Sequence, residues 1–260
     1  MKKFWAVGLG VIFSINVVRA AVYNGNGISA PGDGGLGGAV GTGSLSLTDN
    51  GTTVSGTFTK GSGSFSDVLV IFIDSKTCGF SSTSGFTDAG SSLRKAISGW
   101  DGSSRAIAEF ANGFSADYAI ALKPFGSSGF DGLFQLVNGG THTSLGSVNL
   151  SPTGTGTSGT YTFSFNLSDI GLTGGQGASF RFESDLVRSD GVHSLESFES
   201  ISGEPQNTVT FATFDTYVTA VPETTNAALA AFGVIAMGAG VFARVRRLFD
   251  NRSSSRRAVD

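Results

Sequence analysis

One cysteine, two histidines and 14% charged residues in 260 positions put several kinds of protein out of reach. Cys78 alone excludes an intramolecular disulfide framework and a cysteine-based zinc site. It is expected to be a tolerated half-buried thiol, since a lipid site would place it at the signal cleavage point. His142 and His193 lie far apart in the chain and offer little for a histidine-based metal or triad centre. Both are expected in solvated turns. The charged fraction falls well below the roughly 25% of an average soluble domain. The Leu/Lys/Glu/Arg-rich formula of coiled coils and helical bundles is missing too. What the chain has instead is 39 Gly and 22 Phe, against 4 Tyr and 2 Trp. Abundant Phe argues against disorder, because that side chain drives burial.

The two ends read as targeting segments. Lys2 and Lys3 open a basic start, residues 4–18 are apolar with small or neutral polar interruptions, and Val18-Arg19-Ala20 presents small residues at −3 and −1. Residues 1–20 are therefore a secretory signal, cleaved between Ala20 and Ala21 by signal peptidase. An uncleaved anchor is the competing reading, for which the apolar run is short. At the other end residues 227–243 carry no charge, and Arg244, Arg246 and Arg247 follow at once. At ~1.5 Å per residue this run spans ~25 Å as a helix, enough for a thin bilayer. The arginines stand where the positive-inside rule places the cytoplasm, with residues 248–260 as a basic cytoplasmic tail. A buried soluble helix competes, but Gly233, Gly238 and Gly240 would weaken it.

Val221-Pro222-Glu223, the apolar run and the basic cluster together resemble the PEP-CTERM sorting tail of Gram-negative bacteria, over residues 221–247. Thr224 stands where that family has its second Pro, and the chain continues to Asp260 past the family's usual basic stop. The resemblance implies recognition by an exosortase-like sorting enzyme in the inner membrane.

Between the ends, residues 21–220 hold 17 Asp/Glu and 8 Lys/Arg, a net of −9. An acidic domain without a basic patch disfavours nucleic acid. Residues 24–43 are Gly-rich and form an irregular lead-in. Gly32-Asp33-Gly34-Gly35-Leu36-Gly37 matches GxGxxG but follows no strand and opens no helix, so a dinucleotide site fails its context. The body beyond reads as all-β. Residues 44–48 and 52–60 flank Asp49-Asn50-Gly51, a hairpin signal in which both central turn residues take positive φ. Residues 68–73 form a continuous apolar run, expected to be buried on both faces. Further strands are predicted at 106–110, 117–122, 133–137, 147–150, 160–167, 179–185, 194–198 and 208–214. A short helix is predicted over 91–97 and a turn over 168–172. About ten short strands with Gly/Ser turns mean a β-sandwich or jelly roll. Segments 44–74, 93–122 and 161–173 also resemble a poorly characterised β-sandwich domain of secreted and bacterial surface proteins, sometimes found beside starch-acting enzymes. That resemblance implies fold and location, with no agreed activity.

Candidate chemistry is sparse. A glycosidase needs two carboxylates facing across a cleft, and no spacing singles out a pair. Asp74 and Asp117 border apolar strands and read as turn residues, as calcium or other metal ligands, or as catalytic groups, in that order. Trp100 and Asp101 sit in a polar loop, where an exposed indole would stack on a sugar ring and a buried one would only pack. No G-x-S-x-G elbow has a matching acid and histidine. The sequence thus points to an exported, non-catalytic envelope or extracellular-matrix protein, with neutral-polysaccharide binding as its most concrete activity and no cofactor. Residues 21–220 face the periplasmic or extracellular side, tethered or released to the cell surface. The alternative is a secreted polysaccharide-acting hydrolase whose carboxylates the sequence does not single out.

Overall fold

The computed structural model describes residues 20–126, 130–175 and 177–220. The signal segment up to residue 19, the Val221-Pro222-Glu223 motif, the helix predicted over 227–243 and the Arg244/Arg246/Arg247 cluster lie outside the described residues. Among the described residues no helix is long and apolar enough to cross a membrane.

The body is all-β, with thirteen strands and one short α-helix among the described residues. Four strands form one sheet in the order β1 (Ala21–Asn24), β2 (Ser44–Asp49), β3 (Thr53–Thr59) and β9 (Thr160–Asn166). A six-stranded sheet runs β13 (Asp215–Val218), β10 (Ser179–Val187), β4 (Val68–Asp74), β6 (Tyr118–Leu122), β7 (Asp131–Gln135) and β8 (Thr143–Gly146). The third sheet is small, β11 (Ile201–Gly203), β12 (Thr208–Phe211) and β5 (Ile107–Glu109), and its β5–β12 pair is parallel.

Alternation along the strands explains the layering. In β4, Leu69, Ile71 and Ile73 face the four-stranded sheet, while Val68, Val70 and Phe72 face the opposite side. All seven residues of β4 are buried, as expected of an unbroken apolar run between two packed layers. The first core joins these residues to Leu45, Val54, Phe58, Phe163 and Phe165 from the facing sheet. On the other side α1 (Ser92–Ser98) lies across β4 and β6, presenting Leu93, Ala96 and Ile97. There β6 offers only Ala119 and Ala121, small enough for a helix to approach, whereas Tyr118, Ile120 and Leu122 fill the first core. The sandwich therefore carries a third layer, which a two-layer reading does not include.

Several sequence expectations are corrected. Of the hairpin residues only Gly51 has positive φ (89°), and Asn50 instead holds the turn through Oδ1, which accepts from the N–H groups of Thr52 (3.0 Å) and Thr53 (2.9 Å). Residues 147–150 are not a strand; β8 lies just before them. Residues 194–198 run beside β10 but form no ladder, because Ser194 and Ser197 hydroxyls accept from the N–H groups of Glu196 and Glu199 and turn the backbone locally. Of residues 208–214 only Thr208–Phe211 are strand (β12); β13 starts beyond them, at Asp215. The turn over 168–172 is a 3₁₀ helix, Leu167–Ile170.

The two ends of the body leave at one pole. Ala21 opens β1 opposite Leu47. At the other end of the body, Asp49 Oδ2 accepts from Tyr217 Oη (2.6 Å) and Ala220 N (2.9 Å), while Thr219 N bonds Ala178 O beside the start of β10. From Ser179 to Val187 that strand climbs ~27 Å to the opposite pole.

Candidate functional site

The pole reached by the end of β10 gathers four loops. One follows α1, whose Ser91 N-cap accepts from Arg94 N and whose C-cap Gly99 takes φ 58°. Trp100 and Asp101 come next. Asp101 Oδ1 accepts from Ser103 N (2.6 Å), Ser103 Oγ (2.9 Å) and Ser104 N (2.6 Å). These bonds, that from Ser104 foremost, hold its carboxyl below the usual carboxylate range. Trp100 is half-buried and pairs with Arg105 in an antiparallel bridge, with the guanidinium 4.9 Å from the ring centroid. Between the exposed and the packed indole that the sequence leaves open, the structure has a half-buried ring covered by a cation of its own loop. Arg105 Nη1 also donates to Thr83 O at 3.1 Å.

Beside this loop lies a hollow of about 410 Å³, bounded by Asp101, Arg105, Arg188, Asp190 and Gln206. Arg188 Nη2 meets Asp190 Oδ2 at 2.7 Å. A second hollow of about 610 Å³ shares Arg188, Val192 and Gln206 with the first and extends past Glu204 and Asn207 to the Gly-rich segment at Pro31–Asp33.

Beneath them the structure buries polar groups that the sequence reading left in solvent. His193 Nδ1 lies 2.6 Å from Asp185 Oδ2 with both side chains fully buried. Its Nε2 has no partner among the described residues, and it sits so close to Gly99 that a Cβ there would come within 2.9 Å of it. Glu183, Glu196 and Glu199 are buried as well. Burial pushes Glu183 up to about 9 and Glu199 up to about 8. Glu196 is held differently, since its two oxygens accept from four main-chain N–H groups, those of Leu36 (2.5 Å), Gly38 (2.8 Å), Val40 (3.0 Å) and Gly41 (3.3 Å). The Gly-rich segment is therefore wrapped around a carboxylate. The legible signal was in β10, where Glu183 and Asp185 alternate with Phe182, Ser184 and Leu186 in a strand the sequence already marks.

His142 is also buried, against the expectation of a solvated turn. Its Nε2 lies 3.0 Å from Ser98 Oγ, and Asp88 is close by, which invites comparison with a catalytic triad. The hydrogen bonds exclude that role. Val137 N donates to Nδ1 (3.1 Å), so the ring proton is on Nε2 and is given to Ser98; the ring accepts nothing from it. Asp88 binds the main-chain N of His142 (2.8 Å) and the Arg94 guanidinium (2.5 Å) rather than the ring. Burial pushes His142 down to about 4.

Asp74 and Asp117 come together at the pole where the body begins and ends. Asp74 Oδ2 pairs with Arg181 (2.6 Å) and accepts from Ser115 N (3.0 Å); Asp117 Oδ2 accepts from Ser75 N (3.0 Å) and Lys76 N (2.7 Å). These are not the local turn bonds expected of aspartates at strand ends: each carboxylate accepts from main chain on the other segment, so the pair ties the end of β4 to the loop before β6. Among the described residues no three His, Cys, Asp or Glu side chains cluster to hold a metal ion. Cys78 is exposed rather than half-buried, in the loop after β4. Comparison with family models, with curated proteins and with solved structures finds no match to this chain.

Proposed function

We propose that the chain is an exported, non-catalytic cell-envelope or extracellular-matrix protein that binds a neutral polysaccharide. In this reading signal peptidase removes residues 1–20. The tail then either anchors residues 21–220 outside the inner membrane or delivers them to an exosortase-like enzyme for release to the surface. The observation that carries the reading is polar: both ends of the body leave beside Asp49, and the two hollows lie at the far end of β10. A body held at one end has use for a site at the other. The net of −9 over residues 21–220 favours a neutral ligand over an anionic one.

Binding is favoured over hydrolysis by the state of the carboxylates. A glycosidase needs a carboxyl kept protonated as general acid, with a second facing it. Of the three carboxylates that line the hollows, Asp101 is held below the usual range by its turn, Asp190 is paired with Arg188 and Glu204 is exposed; none is buried as a carboxyl kept protonated would be. The test is topological and then functional. Reporter fusions at Ala220 and Asp260 are expected on opposite sides of the membrane; the same side for both would remove the tether. The purified protein is expected to be retained on an insoluble neutral polysaccharide with little sensitivity to salt. Trp100→Ala should weaken that retention, because Arg105 loses the ring it lies on. No retention on any neutral polysaccharide would leave a passive structural role.

A further inference from the structure

We infer that the two hollows are one cleft for a neutral, polyhydroxylated chain, contacted by Asp101, Arg188, Gln206 and Asn207; this rests on the glycan reading above. Each hollow has the size of a small-ligand site, about 410 and about 610 Å³. They share the walls made by Arg188, Val192 and Gln206, so they are adjacent lobes that suit successive units of one chain.

The lining chemistry selects the class of ligand. Two guanidinium groups, Arg105 and Arg188, stand among three carboxylates, Asp101, Asp190 and Glu204. Both of these lining cations are already engaged, Arg188 by Asp190 and Arg105 by Thr83 O and the Trp100 ring, so neither is left free for an anion. What remains is a set of planar polar edges. A sugar hydroxyl donates and accepts at once, and adjacent hydroxyls match the paired atoms of an amide or carboxylate.

Part of this set is fixed in advance. Asp101 Oδ1 takes three donors from its own loop, while its Oδ2 takes none among the described residues and is held in place to accept from a ligand. Gln206 and Asn207 are exposed, and their side-chain amides have no partner among the described residues. Below them, fully buried His193 borders the larger lobe with its ring oriented by Asp185 and its Nε2 unpartnered among the described residues. That buried Nε2 lies against Gly99, a residue in the wall of the smaller lobe. Holding groups in place before the ligand arrives lowers the entropy lost on binding.

The experiment is calorimetric titration of the full chain in lauryldimethylamine oxide micelles with maltohexaose, cellohexaose and N-acetylchitohexaose, and with hexagalacturonate as the anionic comparison. At least one neutral hexasaccharide is expected to bind, nearly independently of salt. Asp101→Asn keeps the acceptor that closes the turn but turns Oδ2 into a donor, and should weaken binding about tenfold. The Gln206→Ala/Asn207→Ala double variant changes two exposed side chains and should weaken it about as much, with circular dichroism and Tm unchanged. Neutral binding that both variants leave intact would overturn the cleft while the glycan reading stands. Binding of hexagalacturonate alone would overturn the neutral class. No binding to any of the four would overturn the glycan reading and the cleft with it.

Discussion

Glu196 does at a single residue what a ligand does in an anion-binding nest. Its carboxylate is fully buried, and four N–H groups of the Gly-rich segment converge on it. Glycines dominate there because successive N–H groups can point at one centre only where the backbone is crowded and sharply turned; Gly38, for instance, takes φ 87°. Removing the carboxylate leaves those buried donors without an acceptor, each at a penalty of roughly 1–3 kcal/mol before relaxation. Glu196→Ala is therefore expected to destabilise the body by at least ~3 kcal/mol. Hydrogen exchange would check the mechanism: the amides of Leu36, Gly38, Val40 and Gly41 should lose protection before those of β4. Unchanged protection at the four amides would mean that other contacts hold the segment.

At the scale of an element, β9 shows what an alternating strand contributes. Tyr161, Phe163 and Phe165 point into the first core, while Thr160, Thr162 and Asn166 are exposed. The face predicted to be inward is the buried one. Phe163→Ala or Phe165→Ala should cost ~3–5 kcal/mol in urea unfolding, as deletion of a buried aromatic does. The partner strand adds a constraint that sequence does not display. Gly56 of β3 is opposite Phe163, and a Cβ there would lie 2.2 Å from the ring. Gly56→Ala is expected to lose ~1–3 kcal/mol through overpacking. Combining it with Phe163→Leu should cost less than the two changes added, since the smaller side chain opens the space. Strict additivity would show that ring and glycine are not in contact.

For the whole molecule, the buried acids set the pH dependence of stability. Glu183 and Glu199, raised by burial to about 9 and about 8, keep protons in the folded state that the unfolded chain releases above 4.5. Their contribution is complete below pH 4.5 and is lost as pH rises through 8 to 9. His142, lowered by burial to about 4, acts in the opposite sense: its contribution is present above 6.5 and lost as pH falls toward 4. Between 4.5 and 6.5 two carboxyls outweigh one imidazole, and above 6.5 nothing in this trio opposes them. Thermal unfolding should therefore give a Tm that falls from pH 6.5 to pH 9. In Glu183→Gln, which mimics the protonated acid, that fall should be shallower. A Tm that is flat or rising over that range would mean that both acids are ionised in the native body.

The all-β class, the short helix after Ser91, the doubly buried β4 and the inward face of β9 are all legible in the residue pattern. Each of these depends on periodicity and local propensity, which neighbouring residues carry. The residue pattern also marked the Asp49-Asn50-Gly51 turn, although the bond pattern of that turn came from the Asn50 side chain. Only the tertiary structure decided where the polar residues went. His142, His193, Glu196 and Glu199 sit in stretches of Ser, Gly and Thr that look solvated. They are buried because other elements supply their hydrogen bonds: Ser98 reaches His142 and residues 36–41 reach Glu196 from far along the chain, and Asp185 meets His193 where the chain turns back beside β10. The same holds for the cleft. Asp101, Arg188 and Gln206 come from three loops that meet because β5 pairs with β12 and β10 ends beside them, a long-range closure that composition and spacing do not encode.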